Sequence, residues 1–240
     1  MCDTCGCGDP SKVSVEVHDR ILSANDRTAA HNREHLVEGG VFAVNLMGSP
    51  GAGKTAVLEA TARALAGKGR IGAIAGDLET ERDADRLRAV GVPATAITTG
   101  SACHLDAEMV HRSLHDFPWR DLDYLFVENV GNLVCPAIYD LGQAVNVVAL
   151  SVTEGEDKPL KYPVMFRKAD LVLLTKVDLL PHLDYSVDLV LDALSRVMPQ
   201  PSVLRVSART GEGIPGWLSW LDGRRAAQAQ GVPAHPHHHS

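Results

Sequence analysis

The run Gly48-Ser49-Pro50-Gly51-Ala52-Gly53-Lys54-Thr55 constrains this chain more than any other stretch. It follows the apolar "VFAVNLM" and leads into the helical "AVLEATARALAG", so a G-x-x-x-x-G-K-T pattern sits between a strand and a helix. Glycines in such a loop let backbone N–H groups turn inward around phosphate oxygens, and the helix N-terminus adds positive potential. Ser49, Gly51, Ala52 and Gly53 are the expected cradle, Lys54 the ammonium between β- and γ-phosphates, and Thr55 the hydroxyl for Mg²⁺. A loop of this kind belongs at the C-terminal edge of an open, mostly parallel sheet.

Six further apolar runs support that architecture: "IGAIA", "ATAI", "YLFVE", "VNVVALS", "LVLLT" and "SVLRV", alternating mostly with helix-length amphipathic segments. Seven buried strands in this rhythm predict a doubly wound α/β fold, a mostly parallel seven-stranded sheet with helices on both faces. A length of 240 residues suits one such core with short appendages. Residues 1–20 are poor in large apolar side chains and punctuated by Gly6, Gly8 and Pro10, which predicts a flexible arm. Residues 21–40 read as a polar lead-in helix stopped at Gly39-Gly40, residues 41–222 as the nucleotide-binding core, and residues 223–240 as a disordered tail ending "AHPHHHS". His18, His31 and His35 read as a solvated helix face. His235 and His237 to His239 offer either nickel ligands or only incidental affinity, and none of these histidines is assigned a role.

Composition excludes several function classes. The formal net charge of −7, from 23 basic and 30 acidic residues, provides no basic field for nucleic acid. No apolar run approaches the roughly 20 residues that span a bilayer, and the start lacks a basic and apolar signal pattern. A cytoplasmic location and no membrane partner are expected. In a reducing compartment, clustered cysteines are metal ligands or redox groups rather than a disulfide framework.

Carboxylates recur at predicted strand ends. Asp77 closes "GAIAGD" and Glu128 closes "YLFVE", where they can hold Mg²⁺ or its waters, and Gly131 leaves room for its N–H to approach a γ-phosphate. Thr175-Lys176-Val177-Asp178 follows "LVLLT". In guanine-nucleotide proteins an Asn-Lys-x-Asp here lets the Asp accept from guanine N1–H and the amino group. Thr175 replaces the Asn, while Asp178, the base-discriminating residue, is kept and Lys176 packs on the ring. Ser207 and Ala208 in "SVLRVSARTGEG" supply a second base-side loop, with the Ala208 N–H for guanine O6. Matched donors and acceptors favour GTP/GDP over adenine nucleotides.

Metal ligands fall in two places. Cys2, Cys5 and Cys7 form C-x-x-C-x-C on the arm, a short loop able to wrap one soft ion, Ni²⁺ or Zn²⁺, with a redox pair or zinc knuckle as alternatives. Cys103, His104 and Cys135 lie in the core, Cys135 seven residues beyond Glu128 and so placed to feel the bound nucleotide. Side chains of the neighbours Cys103 and His104 are expected to diverge, and three ligands do not close a tetrahedral site. A two-fold dimer would bring six.

The series "CDTCGCG", "NREHL", "NLMGSPGAGKT", "GDLETERDADRLRAVGVP", "TTGSACHLDAEMV", "FVENVGNLVCPA", "TEGEDKPLKYP" and "TKVDLLP" closely resembles the HypB family, nickel-incorporation GTPases of nickel–iron hydrogenase maturation, over nearly the whole chain. The resemblance implies GTP-dependent homodimerisation around a shared metal site, delivery of nickel to the hydrogenase large-subunit precursor, and HypA, a nickel and zinc metallochaperone, as partner. It also implies that Lys158 in "GEDKPLKYP" reaches the other protomer's nucleotide. No Gln or Arg can be assigned from sequence to position water or neutralise charge, which predicts slow intrinsic GTP hydrolysis. The related urease branch would show Cys-Pro-His where this chain has Cys135-Pro136-Ala137. A metal storage or sensing protein with a purely structural nucleotide, and a small-molecule kinase, are the readings from other classes.

Overall fold

The computed structural model describes residues 10–100 and 102–231, with side chains from residue 20 onward. Its elements are α1 (Pro10–Glu38), β1 (Phe42–Met47), α2 (Lys54–Leu65), β2 (Ile71–Asp77), α3 (Arg82–Ala89), β3 (Ala94–Thr98), α4 (Ala107–Asp116), β4 (Tyr124–Glu128), β5 (Val145–Ser151), α5 (Lys158–Lys161), α6 (Pro163–Arg167), β6 (Leu171–Thr175), α7 (Val187–Val197), β7 (Val203–Val206) and α8 (Ile214–Ala229). All seven expected strands form, and every pairing is parallel, in the order β3-β2-β4-β1-β5-β6-β7.

The strands read as unbroken apolar runs because both faces are covered. β1, β4, β5 and β6 are buried at every position. On one face α2, α3 and α8 contribute Val57, Leu58, Leu87, Trp217 and Leu221 to a continuous core. The other face divides in two, with α6 and α7 contributing Met165, Phe166, Val190 and Leu194 over one half. Leu36 of α1 and Val110 and Leu114 of α4 cover the other half. β1 lies between β4 and β5, with Leu46 opposite Glu128 and Met47 opposite Val148. The chain returns from the β3 edge to β4 before crossing to β5, so the sheet's switch point is the crevice beyond the end of β1, where ligands of such sheets bind.

Two boundaries differ from the sequence expectation. Helix α1 begins at Pro10, well before the expected position 21, although its mean hydropathy pattern is polar. What holds its C-terminal part is specific hydrogen bonding. Asn25 Nδ2 donates to Asp140 O at 2.8 Å, Asn32 Nδ2 donates to Ala107 O and Leu141 O at 2.9 and 3.1 Å, and Arg33 grips Asp140 at 2.5 and 2.7 Å. At the other end α8 runs through the expected boundary at 222 to Ala229. Its last turns dock by polar contacts: Asp222 accepts from the Tyr124 hydroxyl, Arg225 pairs with Asp123 at 2.6 Å, and Arg224 with Asp170 at 3.3 Å. Hydrophobic periodicity does not register docking of this kind.

Trp217 anchors α8, fully buried with its Nε1 donating to Thr61 Oγ1 of α2 at 3.0 Å. Truncating a buried tryptophan removes both its apolar contacts and their packing partners. Trp217→Ala is expected to cost about 3–5 kcal/mol of unfolding free energy, read by urea denaturation.

Candidate nucleotide and metal site

Gly48 leaves β1 at φ +145°, and a Cβ there would lie 2.4 Å from Ala149 O of β5, so only glycine permits the loop to turn so close to the neighbouring strand. Gly51 and Gly53 also take positive φ. Lys54 and Thr55 open α2, which aims its first backbone N–H groups into the loop. Lys54 is 8% exposed, and its ammonium lies 3.3 Å from both Gly48 O and Ser49 O. Burial lowers its pKa, while Glu128, Asp83, Glu154 and Asp77 push the other way, so a ring of carboxylates favours the cation.

Thr55 Oγ1 is 2.7 Å from Glu128 Oε1 and 2.8 Å from Asp83 Oδ1. One hydroxyl hydrogen cannot serve both. Burial pushes the Glu128 carboxyl up to about 7 against the pull of Lys54, so Glu128 can itself carry the second hydrogen. Its Oε2 is buried with no hydrogen-bond partner, an uncompensated acceptor in an all-oxygen group of one hydroxyl and two carboxylates. That donor set suits a hard divalent cation such as Mg²⁺. Asp77 does not join it. Its two oxygens accept from Leu78 N at 2.5 Å and Thr80 Oγ1 at 2.6 Å, inside its own turn. Asp83, in the first turn of α3, takes the place against Thr55 that the sequence reading gave to Asp77. Its sequence signal was only an acid six residues further along "GDLETERD".

The loop after β4 is stitched to the phosphate loop. Gly48 and Asn132 form an antiparallel bridge, and a Cβ on Gly131 would meet Pro50 at 2.8–3.0 Å. On the base side, Thr175 Oγ1 donates to Ala52 O at 2.6 Å, and Lys176, in the left-handed region at φ +59°, donates to Gly51 O at 2.7 Å. Asp178 accepts from buried Ser207 Oγ at 2.6 Å, which joins the two predicted base-side loops and sets Ala208 beside them. Lys158 opens α5 with its ammonium 3.4 Å from Glu154 Oε2, and the same oxygen accepts from Ser49 Oγ at 2.7 Å. Lys158 is therefore tied to the phosphate loop of its own chain.

Cys103, His104 and Cys135 come together, with their ligand atoms all within 4.8 Å of one another. The sulfurs are 2.9 Å apart, and Cys103 Sγ is 3.8 Å from His104 Nδ1. The neighbours 103 and 104 converge instead of diverging, and the His104 ring is stacked on Tyr139 at 3.9 Å. Burial lowers the His104 pKa against the pull of Asp106. Hydrogen bonding to Cys103, then burial, raises the Cys135 thiol. Asn129, which sequence reasoning missed, joins this cluster to the nucleotide side. It follows Glu128 directly, is 1% exposed, and accepts from Leu105 N at 3.2 Å while donating to Asn45 Oδ1 at 3.1 Å. A buried asparagine after a strand carries no distinguishing pattern in one sequence. Cys2, Cys5, Cys7 and the terminal histidines lie outside the described residues.

A parallel sheet carrying this loop at its switch point defines a phosphate-loop nucleotide-binding protein. Residues 42–205 match the family model described as "CobW/HypB/UreG, nucleotide-binding domain". The chain is 51% identical over 214 residues to the hydrogenase maturation factor HypB of Azotobacter chroococcum mcd 1, covering 89% of this chain and 70% of that one. It is 46% identical to the Escherichia coli (strain K12) HypB over 220 residues, 92% and 76% of the two chains. The crystal structure of Helicobacter pylori HypB in complex with nickel superposes with a TM-score of 0.82 at 37% identity, over 90% of this chain and all of that one. The chain belongs to the HypB hydrogenase maturation factors, a branch of the phosphate-loop GTPases.

Replacing Asn129 by alanine leaves the buried Leu105 N–H and Asn45 carbonyl oxygen without that partner. Asn129→Ala is expected to cost about 1–3 kcal/mol in urea denaturation.

Proposed function

We propose that this chain is a GTP-hydrolysing metallochaperone that binds nickel and supports its insertion into the nickel–iron hydrogenase large-subunit precursor, with GTP-dependent dimerisation controlling an interfacial metal site. The observation that carries the reading is the convergence of Cys103, His104 and Cys135, with Leu105, next to His104, held by Asn129, the residue after Glu128. A change at the γ-phosphate that moves the loop after β4 then pulls directly on the metal ligands.

In the nucleotide pocket, the Ser49–Thr55 backbone and Lys54 bind the phosphates, and the Lys54 cation offsets charge that develops on the transferring group. Thr55, Glu128 and Asp83 would hold Mg²⁺, with Asp77 ordering water at the edge, and Gly131 would give its N–H to the γ-phosphate. When bound, Mg²⁺ would supply further neutralising charge. Asp178 accepts from guanine N1–H and the amino group, Lys176 covers the ring, Ala208 N–H meets O6, and Ser207 and Thr175 orient the two loops. Arg86 reaches the edge of the pocket, but Glu59 and Asp83 hold its guanidinium at 2.9 and 3.4 Å. With Arg86 held in these pairs, intrinsic hydrolysis is slow, as suits a switch.

Nickel is the cargo. Each protomer offers two thiolates and one imidazole, which suit Ni²⁺ and Zn²⁺ alike, and a two-fold axis doubles the set. Around Cys135 and Lys158 the chain exposes Val134, Ile138, Leu160 and Val164, each 43–50% accessible, an apolar surface consistent with a self-complementary contact. Closing the dimer brings Lys158 to the partner's nucleotide. Cys2, Cys5 and Cys7 on the N-terminal arm capture a soft ion, and HypA and the large-subunit precursor give and receive metal.

Titration of the apo, GDP and GTP-analogue forms with Ni²⁺ and Zn²⁺ tests the coupling: the two nucleotide forms are expected to differ at least tenfold in nickel affinity. Equal affinities would overturn it, because a ligand without differential affinity shifts no equilibrium. Cys103→Ala should abolish that site and leave GDP affinity unchanged. Lys158→Ala should weaken GTP-dependent dimerisation at least tenfold in analytical ultracentrifugation, and an unchanged dimer constant would refute its assignment.

A further inference from the structure

Two H-x-x-x-H segments, "HNREH" at residues 31–35 and "HRSLH" at residues 111–115, fall on helices α1 and α4. At a spacing of four, both imidazoles of a pair lie on one helix face. The helices run parallel and in contact: Asn25 bonds Ala107, Asn32 bonds His111, and His35 stacks on Trp119. The pairs are thereby brought side by side. The His31 ring is 4.1 Å from that of His35 and 5.3 Å from that of His111, centroid to centroid.

With a metal–nitrogen bond of about 2.0–2.1 Å, an imidazole centroid lies about 3.2 Å from a shared ion, so two ligands at about 90–109° stand about 4.5–5.2 Å apart. The observed spacings straddle that range. Among the described residues only Cys103, His104 and Cys135 already have their ligand atoms within 4.8 Å, so closing the histidine set requires side-chain rotation. That adjustment falls on His31, which is exposed, and on His35, which is half-buried.

A second observation concerns His111. Buried Asn32 uses its Nδ2 to donate to two backbone carbonyls, so its Oδ1 can only accept, and it accepts from His111 Nδ1 at 2.9 Å. His111 is held in the Nδ1–H tautomer, with the Nε2 lone pair left for a ligand. An imidazole whose other nitrogen donates to a fixed carbonyl oxygen is the usual supporting arrangement of a metal-bound histidine.

We infer that His31, His35 and His111 form a further binding site for a first-row divalent transition-metal ion, on the outer face of the α1–α4 pair. An all-imidazole set suits Ni²⁺ or Zn²⁺ and, unlike the thiolate sites, binds with neutral ligands only. It shares no residue with the Cys103–His104–Cys135 cluster. Its two helices, however, continue from the segments that carry the other ligands: α1 follows Cys2, Cys5 and Cys7, and α4 follows Cys103 and His104.

The test is a Zn²⁺ titration of the ¹⁵N-labelled full chain, followed at the imidazole nitrogens by NMR. Expected are shifts of His31, His35 and His111 at one common midpoint, with His111 Nδ1 protonated throughout. His35→Ala should raise that midpoint at least tenfold and leave the His104 midpoint unmoved. The site is refuted if the three histidines are unmoved when His104 is saturated, or if they shift only at the midpoint of the terminal histidines His235 and His237 to His239. It is equally refuted if His35→Ala leaves their midpoint in place. The readout in the unsubstituted chain keeps the test independent of how any variant folds.

Discussion

Burying an ammonium group costs several kcal/mol unless opposite charge and acceptors surround it, and Lys54 meets that condition at the end of β1. Two carbonyls of the phosphate loop accept from it, and Glu128, Asp83 and Glu154 stand around it. Each partner comes from a different element: Glu128 from β4, Asp83 from α3, and Glu154 from the loop after β5. Holding one charge inside the protein therefore holds four parts of the fold in register. Glu128 in turn has an unpartnered oxygen, and burial pushes its carboxyl up to about 7, which fits it to accept a further cation.

From this centre a line of amides crosses the sheet. Asn129 donates to Asn45, Asn45 Nδ2 donates to Asn146 Oδ1 at 3.0 Å, and Gln143 Nε2 donates to the same oxygen at 3.1 Å. A buried amide network is favourable only when its members are satisfied together, which makes it stiff. It joins β4, β1 and β5 just below the nucleotide pocket and ends, through Leu105 N, beside His104. Glu154 plays the corresponding part on the other side, connecting Ser49 with Lys158 and the exposed apolar face of α5 and α6. Both outward paths start beside the phosphate loop, one toward Cys103, His104 and Cys135 and the other toward the surface proposed to dimerise.

Most of the scaffold was legible in the residue order. Strands covered on both faces must be apolar throughout, so seven runs such as "LVLLT" were distinct, and G-x-x-x-x-G-K-T has few meanings between a strand and a helix. The ends of the chain were less legible. Asn25 and Asn32 dock α1 through hydrogen bonds, and Arg33, Arg224 and Arg225 dock α1 and α8 through ion pairs; none of these leaves a periodic trace.

Residue types alone determined the fold class, the position of the phosphate loop, and the identities of Cys103, His104 and Cys135 as candidate ligands. Only the tertiary structure decided that these three meet, that Asp83 and not Asp77 faces Thr55, and that the histidines of α1 and α4 lie together. The reason is physical. Backbone pattern follows from local burial and spacing, whereas a ligand set depends on the path of loops and on which helix faces pack, and those are settled by contacts between residues far apart in the chain.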